Sequence, residues 1–310
     1  MHNVTSEFLL WEFSKIWELQ LMYIVSLLLL YVVTITENLL IITAIVWDHH
    51  LHTPMYFFLI NLPLQDIASV SVIIPKVFLN FLMNVRTISY SGCIAQVLFF
   101  FFFLGSDIPL LTVMAYDRYI AICKPLQYEM IMNRKVCTKM VGTVWIDSLL
   151  NASLHTNFTF ITPLCSNIVN QFYCEVPYLL KIACFSSYVS EIGVIIFSAT
   201  LRGTCFVFLI VTYVHAFSAV LRIPSVEGRK KAFSTCLPHI IVFFVFVFTA
   251  SFAYLKPISD SPLFLDFIIT ITYSIVPSML NPVIYSLRIK DIKVTLSRLF
   301  GQKLLFFKEE

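Results

Sequence analysis

Seven apolar stretches, each long enough to cross a bilayer as a helix, leave this chain few other folds: Leu19–Val46, Pro54–Phe81, Cys93–Ile122, Val136–Phe158, Val189–Val220, Ala232–Leu255 and Pro262–Leu287. They are numbered here as spans 1 to 7. The alternation of a membrane β-barrel is absent, because runs such as Leu98–Leu104 are apolar on every side. Only 13% of the 310 residues are charged, and 59% are hydrophobic. An ordinary soluble surface needs about twice that share of charge, which excludes a soluble enzyme or a nucleic-acid-binding module. The expected fold class is an all-α membrane protein, a seven-transmembrane helix bundle.

The basic residues orient it. Fifteen of the 21 Lys and Arg fall on one side of the spans, from Arg118 and Lys124 through the Arg222–Lys231 cluster to Lys308. Arg86, Lys181, Lys256 and Lys15 fall on the other. Positive charge accumulates on the cytoplasmic side, so the N-terminus is expected outside and the C-terminus in the cytoplasm. A single domain is expected over residues 1–310: an extracellular tail (1–18), the bundle (19–287) and a cytoplasmic tail (288–310). Cys93, Cys165, Cys174 and Cys184 lie on the outer, oxidising side, where disulfides persist. Four thiols allow three pairings, and spacing does not choose among them. Asn3-Val4-Thr5 is a glycan acceptor on the outer tail, whereas Asn151-Ala152-Ser153 matches the pattern inside span 4, where no glycan can be added.

Charged and polar groups inside the spans are functional candidates by default. Asp66 and Asp107 sit at one depth and require a shared proton, a cation or a polar partner such as Asn281. Arg202, in mid-span, either pairs internally or meets an acidic ligand, and His155 lies in span 4. Pro282 cannot donate to the Ser278 carbonyl, so span 7 is expected to weaken or kink there.

Four strings carry a resemblance. Met114-Ala115-Tyr116-Asp117-Arg118-Tyr119-Ile120-Ala121-Ile122-Cys123, continued by Lys124-Pro125-Leu126-Gln127-Tyr128, closes span 3. Leu51-His52-Thr53-Pro54-Met55-Tyr56-Phe57-Phe58-Leu59 opens span 2, and Lys231-Ala232-Phe233-Ser234-Thr235-Cys236 opens span 6. Leu280-Asn281-Pro282-Val283-Ile284-Tyr285-Ser286-Leu287-Arg288 closes span 7. In this order they resemble the signature of odorant receptors, within the rhodopsin-like (class A) G-protein-coupled receptors.

The resemblance implies a multi-pass plasma-membrane protein of olfactory cilia that is not an enzyme and needs no cofactor. It would bind a small volatile odorant in the outer half of the bundle and activate a stimulatory heterotrimeric G protein, raising cyclic AMP. The implied partners are odorant, G protein and lipid, with no nucleic acid. Phe100, Phe101, Leu104, Gly105, Ile108, His155, Ser198, Arg202, Ser251, Tyr254 and Ser274 would shape the ligand site. Asp117, Arg118, Tyr119, Tyr213, Asn281, Pro282 and Tyr285 would form the G-protein coupling switch. Asp66 and Asp107 would be the buried acidic pair, with no metal site proper, though a cation between them stays open. The implied disulfides are Cys93–Cys174 and Cys165–Cys184, and Asn3 would carry the glycan.

Several residues depart from the family pattern: Glu37, Asp147, Val247 and Ile289. Residues 288–300 are expected to form an amphipathic helix on the membrane surface, with Ile289, Ile292, Leu296, Leu299 and Phe300 toward the lipid. Competing classes find no support. No repeat halves suggest a transporter, and neither His-Glu-x-x-His nor Gly-x-Ser-x-Gly suggests an intramembrane enzyme.

Overall fold

The computed structural model describes residues 7–11, 16–184, 188–221, 225–226, 237, 240–245, 248, 264–288 and 290–299. Helices dominate them. Helix α1 spans Trp17–Trp47, and span 2 is built from α2 (Pro54–Leu59) and α3 (Asn61–Leu82). Span 3 is α4 (Tyr90–Cys123), followed by a one-turn α5 (Tyr128–Ile131). Span 4 is α6 (Arg134–Ile161); a short α7 (Val176–Lys181) precedes α8 (Tyr188–Leu221), which is span 5. Residues 240–245 of span 6 are helical. Span 7 is α9 (Phe264–Ser274) plus α10 (Val276–Arg288), and α11 (Lys290–Leu299) follows.

Four of the described helices are long and apolar enough to cross a membrane: Trp17–Trp47, Pro54–Leu82, Tyr90–Cys123 and Gly193–Leu221. The fourth expected span is the 28-residue α6, long enough but diluted by Asp147, Ser148, Asn151, His155 and Thr156. Its polar residues are not scattered. Ser148, Asn151, His155 and Thr156 are buried, so the helix turns its polar stripe to its neighbours. The seventh expected span is interrupted, and its shorter apolar core is Phe267–Pro282.

Proline decides where the helices break. Pro63 lacks the N–H that would bond the carbonyl four residues back, and span 2 divides at Ile60. Span 7 divides at Ile275, two residues before Pro277, whereas Pro282 lies inside the continuous α10. The expected weakening at Pro282 is therefore displaced by about two turns. The reason is local: Asn38 Nδ2 of α1 donates to the Ser278 carbonyl at 3.0 Å, replacing the donor that Pro282 cannot supply.

Helix α4 runs through the middle and packs on α3, α6 and α8. One apolar core surrounds its Arg118 end, with Leu110, Leu111, Met114, Phe58, Tyr213 and Phe243. A second, including Val70, Ile73, Phe100, Phe172 and Tyr173, lies toward the other end. That other end carries both disulfides, Cys93–Cys174 and Cys165–Cys184, with Cα–Cα distances of 5.5 and 5.2 Å.

A small sheet closes over the disulfide-bearing end. Strand β1 (Glu7–Leu10) lies between β2 (Thr87–Ser89), antiparallel, and β3 (Ile168–Val169), parallel. Alternation sends Phe8 and Leu10 into a third apolar cluster around Cys93 and Cys174, while Glu7 and Leu9 face out. The tail before span 1 is thus knitted to two loops.

At the opposite end α11 packs on α1 and α10. Ile292 is fully buried and Leu296 packs beside it on the first core, so these two do not face lipid as expected. Ile289 and Phe300, and the side chain of Leu299, lie outside the described residues. Thr295 Oγ1 donates to Asp48 Oδ2 at 2.7 Å, which fastens α11 to the turn after α1.

Candidate functional site

Three polar clusters interrupt the apolar bundle. The first is a seam between α6 and α8. Asp147, Asn151 and His155 recur every four residues on α6, and Ser198 and Arg202 do the same on α8, so each set forms one stripe. The stripes meet rung by rung. His155 Nε2 lies 2.8 Å from Ser198 Oγ, which donates to Asn151 Oδ1 at 2.6 Å. Because the serine proton is spent on Asn151, the histidine is the donor to Ser198. One turn further, Arg202 Nη1 donates to Asp147 Oδ2 at 3.0 Å. These two residues, each anomalous on its own in the sequence, neutralise each other where α6 meets α8. The Asn151 sequon is closed to glycan by the same geometry, since its amide is buried in the seam.

Helix α4 faces this seam with residues four apart. The Phe101 ring stacks on His155 at 4.9 Å between centroids. Gly105 brings the bare α4 backbone up to Arg202, whose Nη2 lies 3.9 Å from where a Cβ on the glycine would stand. Leu104 and Ile108 flank it, partly buried. Phe100 is instead packed edge-on against Tyr173 of the loop after α6, which puts it in the wall above the seam. Ser274 turns its hydroxyl to the Thr270 carbonyl of its own helix at 2.5 Å, so it offers the bundle little. Ser251 and Tyr254 lie outside the described residues, as does Asn3.

The second cluster is the acidic pair. Asp66 and Asp107 are 1% and 5% exposed. Asn281 Nδ2 donates to Asp66 Oδ2 at 3.0 Å and to Oδ1 at 3.3 Å, and Ser69 Oγ lies 3.4 Å from Ser278 Oγ beside it. With the Gln65 amide oriented to satisfy its neighbours, its nitrogen donates to Asp107 Oδ1 at 3.2 Å and its oxygen accepts from Trp145 Nε1 at 3.3 Å. Each carboxylate therefore has its own amide partner. Among the described residues no group of three or more His, Cys, Asp or Glu side chains could hold a metal ion. Glu37 Oε2, by contrast, is buried without a hydrogen-bond partner among the described residues.

The third cluster lies at the far end of α4. Arg118 Nε donates to Asp117 Oδ2 at 3.0 Å, and its Nη2 contacts the same oxygen. Tyr128, in the turn after α4, donates to Asp117 Oδ1 at 2.7 Å. Burial, and then the charge of Asp117, hold the Tyr128 phenol above its ordinary pKa, so it stays a donor. Tyr213 is buried nearby and stacks on Phe217. Tyr119 approaches His215, with centroids 6.4 Å apart. Tyr285 is within α10, its side chain outside what the structure describes.

One network had no sequence signal beyond a single acid in an apolar loop. Glu175 accepts from Tyr273 through Oε1 and from Gln171 Nε2 at 3.0 Å through Oε2. Gln171 also donates to Thr270 Oγ1 at 2.9 Å, and the Tyr173 and Tyr273 hydroxyls are 2.7 Å apart. The loop after α6 is pinned by these bonds to α9.

The amino-acid sequence matches a known family of chains. The family model described as "Olfactory receptor" matches residues 27–303. The chain is 42% identical to human olfactory receptor 14C36 over 100% of its own length and 99% of that protein's. It is 45% identical to human olfactory receptor 14I1, over 97% of each chain. Mouse olfactory receptor 5AR1 is 39% identical over 97% of this chain and 98% of its own.

Proposed function

The chain belongs to the olfactory receptor family, a family of receptors rather than enzymes, and on that premise we propose that it signals the presence of small volatile, largely apolar molecules to a G protein. The ligand sits against the α6–α8 seam, among Phe101, Leu104, Gly105, Ile108, His155, Ser198 and Arg202. Spans 1 to 7 cross the plasma membrane with the disulfide-bearing end outside and the Arg118 end in the cytoplasm. The seat of action is the sensory cilium, and the partner is a stimulatory trimer that raises cyclic AMP.

One observation carries the reading: a single helix, α4, runs from the face of the α6–α8 polar seam to the Asp117–Arg118 cluster. Gly105 at the seam and Arg118 at the Asp117–Tyr128 cluster are 13 residues apart on α4, about 20 Å along its axis. A ligand wedged between α4 and α8 binds one arrangement of these helices better than another. The same rearrangement is felt at Asp117–Arg118, where two bonds to one carboxylate hold the guanidinium. Release of Arg118 presents a planar five-donor cation to the trimer. The two sites are then coupled thermodynamically, without chemistry on the ligand.

The test is a cyclic AMP assay with surface staining, run over an odorant panel. Arg118→Ala at normal surface level should abolish every response, and Arg118→Lys should impair it. Full signalling by Arg118→Ala would overturn the coupling role. Leu104→Phe should change the ranking of odorants without loss of surface protein; an unchanged ranking would overturn the ligand site.

A further inference from the structure

The Arg202 guanidinium is only half used. Its Nη1 is committed to Asp147, and the side chain is 14% exposed. Its Nη2 is buried and has no hydrogen-bond partner among the described residues. A guanidinium carries five N–H donors, and a buried donor left unbonded is unfavourable. This Nη2 faces Gly105 of α4 and lies 3.9 Å from where a Cβ on that glycine would stand. An unbonded donor and a stretch of bare backbone thus face each other, flanked by Phe101 and Leu104.

We propose that this donor selects the ligand class: an uncharged molecule with a carbonyl oxygen, which accepts from Arg202 Nη2 while its apolar body packs on α4. This rests on the receptor reading above. The charge balance decides between the two kinds of acceptor. Asp147 already neutralises Arg202, so the site is neutral overall. A carboxylate ligand would bring a second anion into a low-dielectric site with no cation left to meet it. A ketone or aldehyde oxygen satisfies the donor and adds no charge. The neighbouring rungs do not compete, because the His155 and Ser198 protons are engaged with each other and with Asn151. A hydrocarbon of the same shape would leave Nη2 unbonded.

The experiment uses three probes of similar size: acetophenone, benzoate and ethylbenzene. They are applied to cells displaying wild type, the charge-free double variant Arg202→Met with Asp147→Leu, and Gly105→Val. Cyclic AMP is read against surface staining. The double variant leaves no lone ion in the bundle, and Gly105→Val keeps the ion pair but sets a branched side chain against Nη2. In wild type, acetophenone should act at a concentration about tenfold lower than either other probe, the worth of one buried hydrogen bond. That advantage over ethylbenzene, read on the same cells, should vanish in both variants. If the double variant fails to reach the surface, Gly105→Val decides alone. Benzoate equal to or better than acetophenone, or an acetophenone advantage that survives the variants, would overturn the inference and leave the receptor reading standing. Silence of displayed wild type toward all three probes would overturn the ligand site itself, and this inference with it.

Discussion

Replacing Asn38 by Ala should destabilise the bundle only as long as Pro282 is present. The Asn38 amide donates to the Ser278 carbonyl at 3.0 Å and to the Thr34 carbonyl of its own helix at 2.8 Å. Thr34 can fall back on an ordinary helical partner. The Ser278 carbonyl cannot, because the residue four positions on is Pro282. Leaving a buried carbonyl unbonded costs about 1–3 kcal/mol. The single variant also removes Asn38 Oδ1, which is buried without a partner among the described residues, and this offsets part of the loss. A double-mutant cycle separates the two effects. Pro282→Ala returns a backbone N–H to Ser278, so Asn38→Ala on that background should cost about 1–2 kcal/mol less than in wild type. For a chain of this size each kcal/mol moves the thermal midpoint by roughly 2 °C, so Asn38→Ala alone should lower it by about 2–4 °C. The assay is thermal inactivation of purified receptor in detergent across the four variants. An Asn38→Ala shift equal in both backgrounds, within about 0.5 kcal/mol, would refute the claim that the amide stands in for the missing donor.

Three further outcomes are expected. Tyr128→Phe removes one of the bonds to Asp117, worth about 1.5 kcal/mol for a charged acceptor, and should raise ligand-free cyclic AMP several-fold at matched surface level; unchanged basal signal would count against a restraint at Asp117. Glu175→Gln removes the charge that Tyr273 and Gln171 share, and should lower the thermal midpoint by about 2–6 °C through a loss of roughly 1–3 kcal/mol; an unshifted midpoint would deny the loop its anchor. Asp48 is held below its ordinary pKa, first by Thr295 and then by the His50 backbone N–H. A depressed carboxylate adds stability above its unfolded pKa, and that stability is lost only as pH falls through the lower folded value. Spin labels at Trp47 and Arg298 should therefore keep one distance from about pH 8 down to about pH 5; separation within that range would contradict the latch.

The long apolar stretches were legible because lipid demands them of any helix regardless of its neighbours. Cluster residues such as Asp117, Arg118 and Asp66 stood out for the converse reason, being charges where the surroundings penalise charge. What could not be read was partnership. Arg202 and Asp147 are 55 residues apart, and only the rotation of α6 against α8 tells that the two anomalies cancel. The strand at Glu7–Leu10 was missed because four residues carry too little periodicity, and its partners are equally short. The break in span 7 was assigned to Pro282 rather than Pro277. The sequence marks both prolines alike, and a third helix decides which carbonyl finds another donor. For α11 the amphipathic pattern was right, but whether an apolar face meets lipid or protein is set by what lies beside it.

The two disulfides also bear on how the chain is made. In chain order the cysteines read 93, 165, 174, 184, and the bonds join the first to the third and the second to the fourth. The rings interlock in sequence, so neither can be completed by pairing each thiol with the next to emerge. Cys93 must wait for a partner 81 residues behind it, roughly 4–16 s at ordinary rates of synthesis. Cys165 and Cys174 arrive almost together, nine residues apart. In an open chain loop-closure entropy favours that near pairing by about 2 kcal/mol over Cys93 with Cys174. The nascent chain must therefore dock span 3 before the loop oxidises, or have a premature bridge undone by thiol exchange. Yield in a host cell should follow the oxidoreductases of its secretory compartment as closely as it follows the amount of message.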